Sequence, residues 1–395
     1  MYRYLHDPTV VHMASYTVSL TPCQSYDLDE VRAALTTVLE PLGGLAAFVH
    51  PGDRVLIKLN LLSSYDPSAA VTTNPALVRA VVEQVYQIGA TPLVGDSPGG
   101  RNTPASYQAL LKRTGIAQVI EETGCESVFF DDQTVDRSSD QAKTFRRFTV
   151  AAVVEQVDVV ITLPKLKTHQ LTGMTGAVKV LYGFIPGVKK AAYHLHTGNN
   201  IAQFAELLLD LHQVVPPTLV IMDAVVGMEG NGPSHGTPRA IGLLFAGTSS
   251  PAIDFVAASV IGFDPLCLPA VKEAADRGVG PSSFDQIAIV GPDPALFTIA
   301  DFKMPSSMSL SRVPPFVLSC ARRVLGTRPV VDRARCTRCG TCRDNCPPEA
   351  ITMKVGDYPM IDQSRCIACF CCQELCPAGA IEVKKPLLRR LIERT

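Results

Sequence analysis

From Asp53 onward the chain alternates short apolar runs with stretches whose apolar residues recur at helical spacing. That alternation predicts a parallel sheet covered by helices. Residues 54–59 read as a strand, and Asn74-Pro75 opens an amphipathic helix that runs to about Ile88 and stops at Gly89-Ala90. Proline suits the first helical position, where the N–H it lacks has no partner to lose. Further strands are expected at 91–95, 157–163, 219–222, 241–245 and 287–290, with helices at about 103–114, 200–214 and 251–261. The expected fold class is α/β, a parallel-sheet domain with room for two lobes, followed by a smaller C-terminal α+β unit.

The polar residues fall at the ends of these strands. Lys58 and Asn60, two apart and so on one face, leave the first strand; Asp96-Ser97 end the second. Pro164-Lys165-Leu166-Lys167-Thr168-His169 follow the third, and Asp223 ends the fourth shortly before Met228-Glu229-Gly230-Asn231-Gly232-Pro233. Ligands of open α/β sheets bind outside the carboxyl ends of the strands, so these four ends converge on one candidate site. Each alone has an ordinary reading: an edge lysine, a solvated loop, or aspartates that cap turns.

A second dense segment holds Gly173-Met174-Thr175-Gly176, Lys179, Tyr182-Gly183, Lys189-Lys190 and Tyr193-His194-Leu195-His196. Glycine lets backbone approach an anion closely, and the lysines and histidines supply positive or protonatable groups, so a carboxylate or phosphate fits here. His169, His194 and His196 are the nearest approach to a three-nitrogen metal set, although no H-E-x-x-H run accompanies them and substrate or surface histidines are the simpler reading. Neither a G-x4-G-K-[ST] run nor a strand-borne G-x-G-x-x-G is present, which removes support for nucleotide hydrolysis and for a conventional NAD site.

The C-terminal part carries a doubled cysteine run. Cys336, Cys339, Cys342 and Cys346-Pro347 are repeated as Cys366, Cys369, Cys372 and Cys376-Pro377, and Asp332, Arg335 and Ala350-Ile351 recur as Asp362, Arg365 and Ala380-Ile381. Matches beyond the cysteines mark an internal duplication. The spacing C-x2-C-x2-C-x3-C-P holds cubane iron-sulfur clusters, whose iron takes soft anionic thiolates. Zinc knuckles share the C-x2-C step, but a four-ligand zinc site gains nothing from the triplet plus Cys-Pro. Over residues 328–385 the doublet resembles the bacterial two-[4Fe-4S] ferredoxin family. The resemblance implies crossed ligation, with Cys336, Cys339, Cys342 and Cys376 on one cluster and Cys346, Cys366, Cys369 and Cys372 on the other. Cys371, beside Cys372, departs from the pattern, as a spare buried thiol or a competing ligand.

Length and charge narrow the remainder. A chain of 395 residues exceeds one ferredoxin module, and 36 basic against 37 acidic residues indicate no nucleic-acid partner. The N-terminus shows no basic segment followed by an apolar run, and no stretch approaches the ~18 apolar residues of a spanning helix. Thirteen cysteines without an export signal point to a reducing cytoplasm. The expected division is an α/β domain over 1–300, a Pro-, Ser- and Arg-rich linker over 301–327 with a short helix at 316–325, the ferredoxin-like unit over 328–385 and a basic tail over 386–395. The basic linker and tail suit an acidic external donor such as ferredoxin or flavodoxin.

Leu56-Ile57-Lys58-Leu59-Asn60, Val94-Gly95-Asp96-Ser97, Pro164 to His169, Lys179 to Gly183, Met228 to Pro233 and Ala252-Ile253-Asp254 together resemble the DUF362 family, over roughly residues 50–290. The resemblance implies an α/β domain whose lysine, histidine and acidic positions form a site, without supplying a reaction. Lys179-Val180-Leu181 stands where the family pattern has Lys-Asn-Leu, so the contact expected of that asparagine is missing. At the level of the α/β lobe a more distant similarity is to nickel-pincer lactate racemases, and fold likeness transfers no chemistry.

These readings combine into a low-potential iron-sulfur reductase. Lys58, Asn60, Lys165, Lys167, Lys179 and Asp254 are expected to bind a small anionic substrate, His169 or His194 to give a proton, and Asp96, Asp223 and Glu229 to orient them. Two [4Fe-4S] clusters carry the electrons to a C=C or C=N bond, and a flavin or a further metal stays open as an addition. The alternative is a non-catalytic electron-transfer protein whose α/β domain binds a partner or ligand.

Overall fold

The computed structural model describes residues 14–198, 200–305 and 326–386. The helix expected at 316–325 and the basic tail from residue 387 lie outside the described residues. One sheet of ten strands organises the larger module. Its members are β1 (Tyr16–Pro22), β2 (Arg54–Lys58), β3 (Thr91–Asp96), β4 (Glu126–Phe129), β7 (Val159–Thr162), β8 (Lys165–His169), β9 (Gly173–Thr175), β10 (Leu219–Glu229), β11 (Thr237–Gly247) and β12 (Ile287–Val290). The hairpin β5 (Thr134–Ser138) and β6 (Arg147–Ala151) stands apart from it. The spatial order is β12-β1-β11-β10-β7-β2-β3-β4, parallel from β10 to β4 and antiparallel where β11 meets β10 and β1. The two lobes allowed by the sequence are thus one continuous mixed sheet.

Alternation along the strands feeds two faces. Val55 and Ile57 of β2 pack with helices α1 (Leu28–Leu39) and α2 (Pro75–Ile88), while Leu56 packs with α6 (Ile201–Val214) on the other side. Helix α2 shows the local logic: Asn74 accepts the Ala76 N–H, Pro75 takes the first position, and Gly89 at φ 87° closes the end. Helices α3 (Pro104–Arg113) and α4 (Ile116–Thr123) extend the first face, and α7 (Ser250–Val260) and α8 (Pro269–Asp276) extend the second. Helix α5 (Gly187–Thr197) packs against α6.

Two strands differ from the expected pattern. Pro164 follows the third predicted strand, and the chain resumes at once as β8 along β10, pairing Lys165 with Asp223. Lys165 to His169 is therefore a fully buried strand, not a solvated loop. Strand β10 runs through Glu229, so Asp223 lies mid-strand.

The smaller module pairs β13 (Arg328–Val331) with β16 (Ile381–Lys384) and β14 (Ile351–Thr352) with β15 (Met360–Ile361). Single-turn helices α9 (Thr341–Asp344) and α10 (Cys371–Glu374) carry cysteines from each repeat. The repeats interlock: Asp332 N–H donates to Ala380 O and Asp362 N–H to Ala350 O, at 2.7 and 2.8 Å. Among the described residues no helix is long and apolar enough to cross a membrane.

Candidate functional site

Lys58 ends β2 on the α6 face, where Phe130 and Phe184 flank its ammonium at 5.9 and 5.7 Å. A charge so enclosed requires a partner. Asp96, ending β3, supplies it at 2.6 Å, and the Asp96 carboxylate also accepts the Leu61 and Ser97 N–H groups. Burial pushes the Lys58 ammonium down, against the pull of Asp96.

A separate buried pair lies on the opposite face. Lys165 meets Asp223 at 2.9 Å, the Tyr26 hydroxyl donates to Asp223 at 2.6 Å, and the Asn74 N–H donates to its second oxygen at 2.9 Å. These groups satisfy one another in a closed network. The four strand ends therefore do not form one cluster.

His169, at the end of β8, accepts the Leu171 and Thr172 N–H groups at Nδ1, at 3.0 and 3.3 Å. Its proton accordingly sits on Nε2. That atom faces Glu374 of α10 at 3.5 Å, across the join between the modules. Burial and the nearby Lys179 hold the His169 imidazole down at about 4. Burial would raise the Glu374 carboxyl, but Lys179, His169 and His194 outweigh it and hold it well below the usual carboxylate range. Lys167 donates to Val71 O at 2.6 Å, and burial with Lys179 brings it down to about 7.

The loop after β10 grips the smaller module. Gln373 Nε2 donates to Asn231 O at 3.1 Å and Ser234 Oγ to Glu374 O at 2.8 Å. Gly99 abuts Leu375 so closely that a Cβ would stand 2.5 Å from its Cδ2. The segment Met228 to Pro233, a polar strand end in the sequence, is thus an element of the dock between modules.

Between the modules lies a cavity of about 700 Å³. Asn60, Asp96, Lys179, Lys190 and His194 line it from the α/β side, and Cys346, Cys371 and Glu374 from the other. Lys190 of α5 donates to Ser97 O, Ser97 Oγ and Pro98 O at 2.7, 2.8 and 3.1 Å, and burial lowers it to about 8. His194 stacks on Phe204 at 4.7 Å, its Nδ1 has no partner among the described residues, and burial holds it at about 3.

The remaining expected residues lie elsewhere. Asp254 accepts the Ala177 and Val178 N–H groups at 2.6 and 3.0 Å, so it fixes the turn that presents Lys179. Glu229 accepts the Lys303 N–H at 3.1 Å. His196 lies exposed against Phe145, apart from His169 and His194, so the three histidines do not gather around one ion.

The eight run cysteines sort into two sets. Cys336, Cys339, Cys342 and Cys376 surround one hollow, and Cys346, Cys366, Cys369 and Cys372 surround another. Backbone N–H groups point at sulfur, from Ala350 to Cys346, Ala368 to Cys366 and Ala380 to Cys376 at 3.2–3.4 Å. Eight free thiols in two sets of four, with N–H groups directed at them, fit iron-sulfur clusters.

Glu374 and Tyr26 were not among the expected site residues, and Lys190 was named only with the basic segment that suits an anion. For Glu374 a signal existed in the repeat: it stands thirty positions after Asp344, as Cys371 does after Thr341. The second copy therefore differs from the first where it faces the α/β module.

The family model described as a domain of unknown function, DUF362, matches residues 55–259, and a 4Fe-4S dicluster domain matches 335–380. A thylakoid-associated protein of Synechocystis sp. is 37% identical over 267 residues, covering 68% of this chain and 81% of the relative. Among solved structures, the lactate racemase apoprotein of Thermoanaerobacterium thermosaccharolyticum has a TM-score of 0.37 at 14% identity, over 59% of this chain and 54% of that one. A Thermotoga maritima protein has a TM-score of 0.33 at 15% identity, over 58% and 57%. The chain spans just over half the length of these two.

Proposed function

The chain belongs to the DUF362 family and carries a C-terminal iron-sulfur domain of the kind that transfers electrons, and from that premise we propose that it is a reductase. The proposed substrate is a small anion with a C=C or C=N bond, held in the cavity between the modules. One observation carries this reading: Cys346, a member of the second thiol set, lines the same cavity as Lys179, Lys190 and His194.

Two [4Fe-4S] clusters, one on each thiol set, fit the donors, and the clusters supply the two electrons that the reduction consumes. The chain's own residues bind and protonate. Lys179 and Lys190 offer cations to the substrate anion at the cavity wall. Lys190, at about 8, is matched to give one of the two protons near neutral pH, better than His169 and His194, which are held neutral, and solvent entering the cavity gives the second. His169 instead fixes Glu374, and Asp254 fixes the turn bearing Lys179.

The test is single-turnover reoxidation of the anaerobic, pre-reduced protein by a panel of unsaturated and imine carboxylates. The expected result is faster reoxidation by at least one acceptor in the wild type than in Lys179→Ala and Lys190→Ala. Equal rates in all three proteins across the panel would remove the cavity as a reducing site and leave a carrier.

A further inference from the structure

The two thiol sets meet different surroundings. Each set has two buried cysteines, Cys369 and Cys372 beside the cavity and Cys342 and Cys376 in the other, but of the eight only Cys339, in that other set, is exposed to solvent. The surface around Cys339 is cationic and apolar. Arg338 lines the hollow beside it, and the guanidinium groups of Arg333 and Arg338 lie over the Tyr358 ring at 5.4 and 4.3 Å from its centre. Arg338 is fixed by donating to Gly356 O and to the Tyr358 hydroxyl, each at 2.9 Å. Beside these residues Val355 is fully exposed and Met360 is 65% exposed.

These arginines differ from others on the module. Arg335 pairs with Asp332 and Glu382, and Arg343 with Asp344. Among the described residues neither Arg333 nor Arg338 has a carboxylate in ion-pair contact, and both are exposed; the exposed Asp357 acts on Arg338 through space only. Arginines without a carboxylate in ion-pair contact, next to exposed apolar side chains and a cluster ligand, match an interface that steers by charge and closes on an apolar contact.

We infer that the face formed by Arg333, Arg338, Val355, Tyr358 and Met360 around Cys339 is the dock of an acidic one-electron carrier protein. Electrons enter there and leave at the cavity on the far side of the dicluster domain, so the inference rests on the reductase reading for its direction. Each encounter oxidises the carrier by one electron and reduces the chain by one.

The test uses the full-length, cluster-loaded protein and a reduced acidic flavodoxin in anaerobic stopped flow. Wild-type reduction should be second order and slow as salt rises. Arg333→Glu with Arg338→Glu should lower the low-salt rate about tenfold or more and flatten its salt dependence. Photoreduction by a deazaflavin, which needs no protein dock, and the iron content should be unchanged. Should charge reversal disturb the clusters, Arg333→Gln with Arg338→Gln should give a smaller loss of the same kind. Flavodoxin rates within twofold of wild type in the variants, with clusters intact, would overturn the dock. Reoxidation of pre-reduced protein by acceptors is read separately, so a reduced flavodoxin rate with no acceptor found would sustain the dock and sink the reductase.

Discussion

Glu374 Oε2 stands 3.5 Å from His169 Nε2, and this contact ties the second cysteine repeat to the end of a buried strand of the α/β module. The carboxylate also faces the charge of Lys179, which with His169 and His194 outweighs its burial. Glu374→Gln removes that charge while keeping the shape. The expected cost is about 1.5–3 kcal/mol, the worth of a charge-assisted contact in a half-buried setting. It should appear as faster limited proteolysis near the join and a lower melting temperature at unchanged iron content.

The buried histidines predict acid sensitivity. His169, His194 and His212 are held at about 4, about 3 and about 4, burial being the first cause for each. Their ordinary value is about 6.5, so below that pH the unfolded chain binds protons that the folded chain refuses. Stability should be fully present above pH 6.5 and fall toward pH 4, by up to about 1.4 kcal/mol per pH unit for each histidine. His212 offers a clean control, because neither of its ring nitrogens has a partner among the described residues. His212→Leu should be neutral or stabilising at pH 7 and reduce the acid slope by about one proton, measured by denaturant titration at pH 5 and 7.

Gly183 lies against the Lys58–Asp96 pair, and a methyl group there would land on the carboxylate of Asp96 and the ammonium of Lys58. Neither partner has room to move, with Phe130 and Phe184 flanking the ammonium. Gly183→Ala should therefore cost about 3–5 kcal/mol, the loss expected when a buried ion pair is broken. Calorimetry should show it as a drop of several degrees in the α/β transition.

The sheet was legible because strand and helix periods differ, and the helix starting at Asn74-Pro75 was found together with its ends. Strand β1 was missed because it precedes the region where apolar runs alternate with helices. Lys165 to His169 was harder to place: four polar side chains in five residues also suit a solvated loop, and only tertiary pairing shows that Asp223, Val71 and Glu374 receive Lys165, Lys167 and His169. Composition cannot report such pairing. The cysteine sets were the most legible feature, since ligand spacing is imposed by cluster chemistry rather than by the surrounding fold.

Crossed ligation gives a prediction that separates the two hollows. Cys376 comes from the second repeat but stands with Cys336, Cys339 and Cys342, and Cys346 makes the reciprocal crossing. The intact protein should contain about eight irons and eight sulfides. Cys376→Ala should disturb the cluster on the exposed side and Cys346→Ala the one beside the cavity. Electron paramagnetic resonance of the reduced proteins should show the loss of magnetic coupling between clusters in both, with acceptor reoxidation slowed more by Cys346→Ala.

Lys190 gives the sharpest test of how the cavity handles protons. Burial brings its ammonium down to about 8 while three oxygens of Ser97 and Pro98 hold it at the cavity wall. A step that uses its proton should be fast below pH 8 and fall tenfold per unit above it, because the protonated fraction falls at that rate. Lys190→Met should lower the rate by about 10²–10⁴-fold and remove the alkaline limb, since the remaining proton source would be solvent. Lys190→Arg keeps the charge and removes titration from the accessible range, so substrate affinity should largely survive while protonation slows. A role limited to holding Ser97 and Pro98 would instead lower stability in Lys190→Met and leave the alkaline limb of the remaining activity where it was. Acceptor reoxidation measured from pH 6 to 10 in the three proteins distinguishes the two.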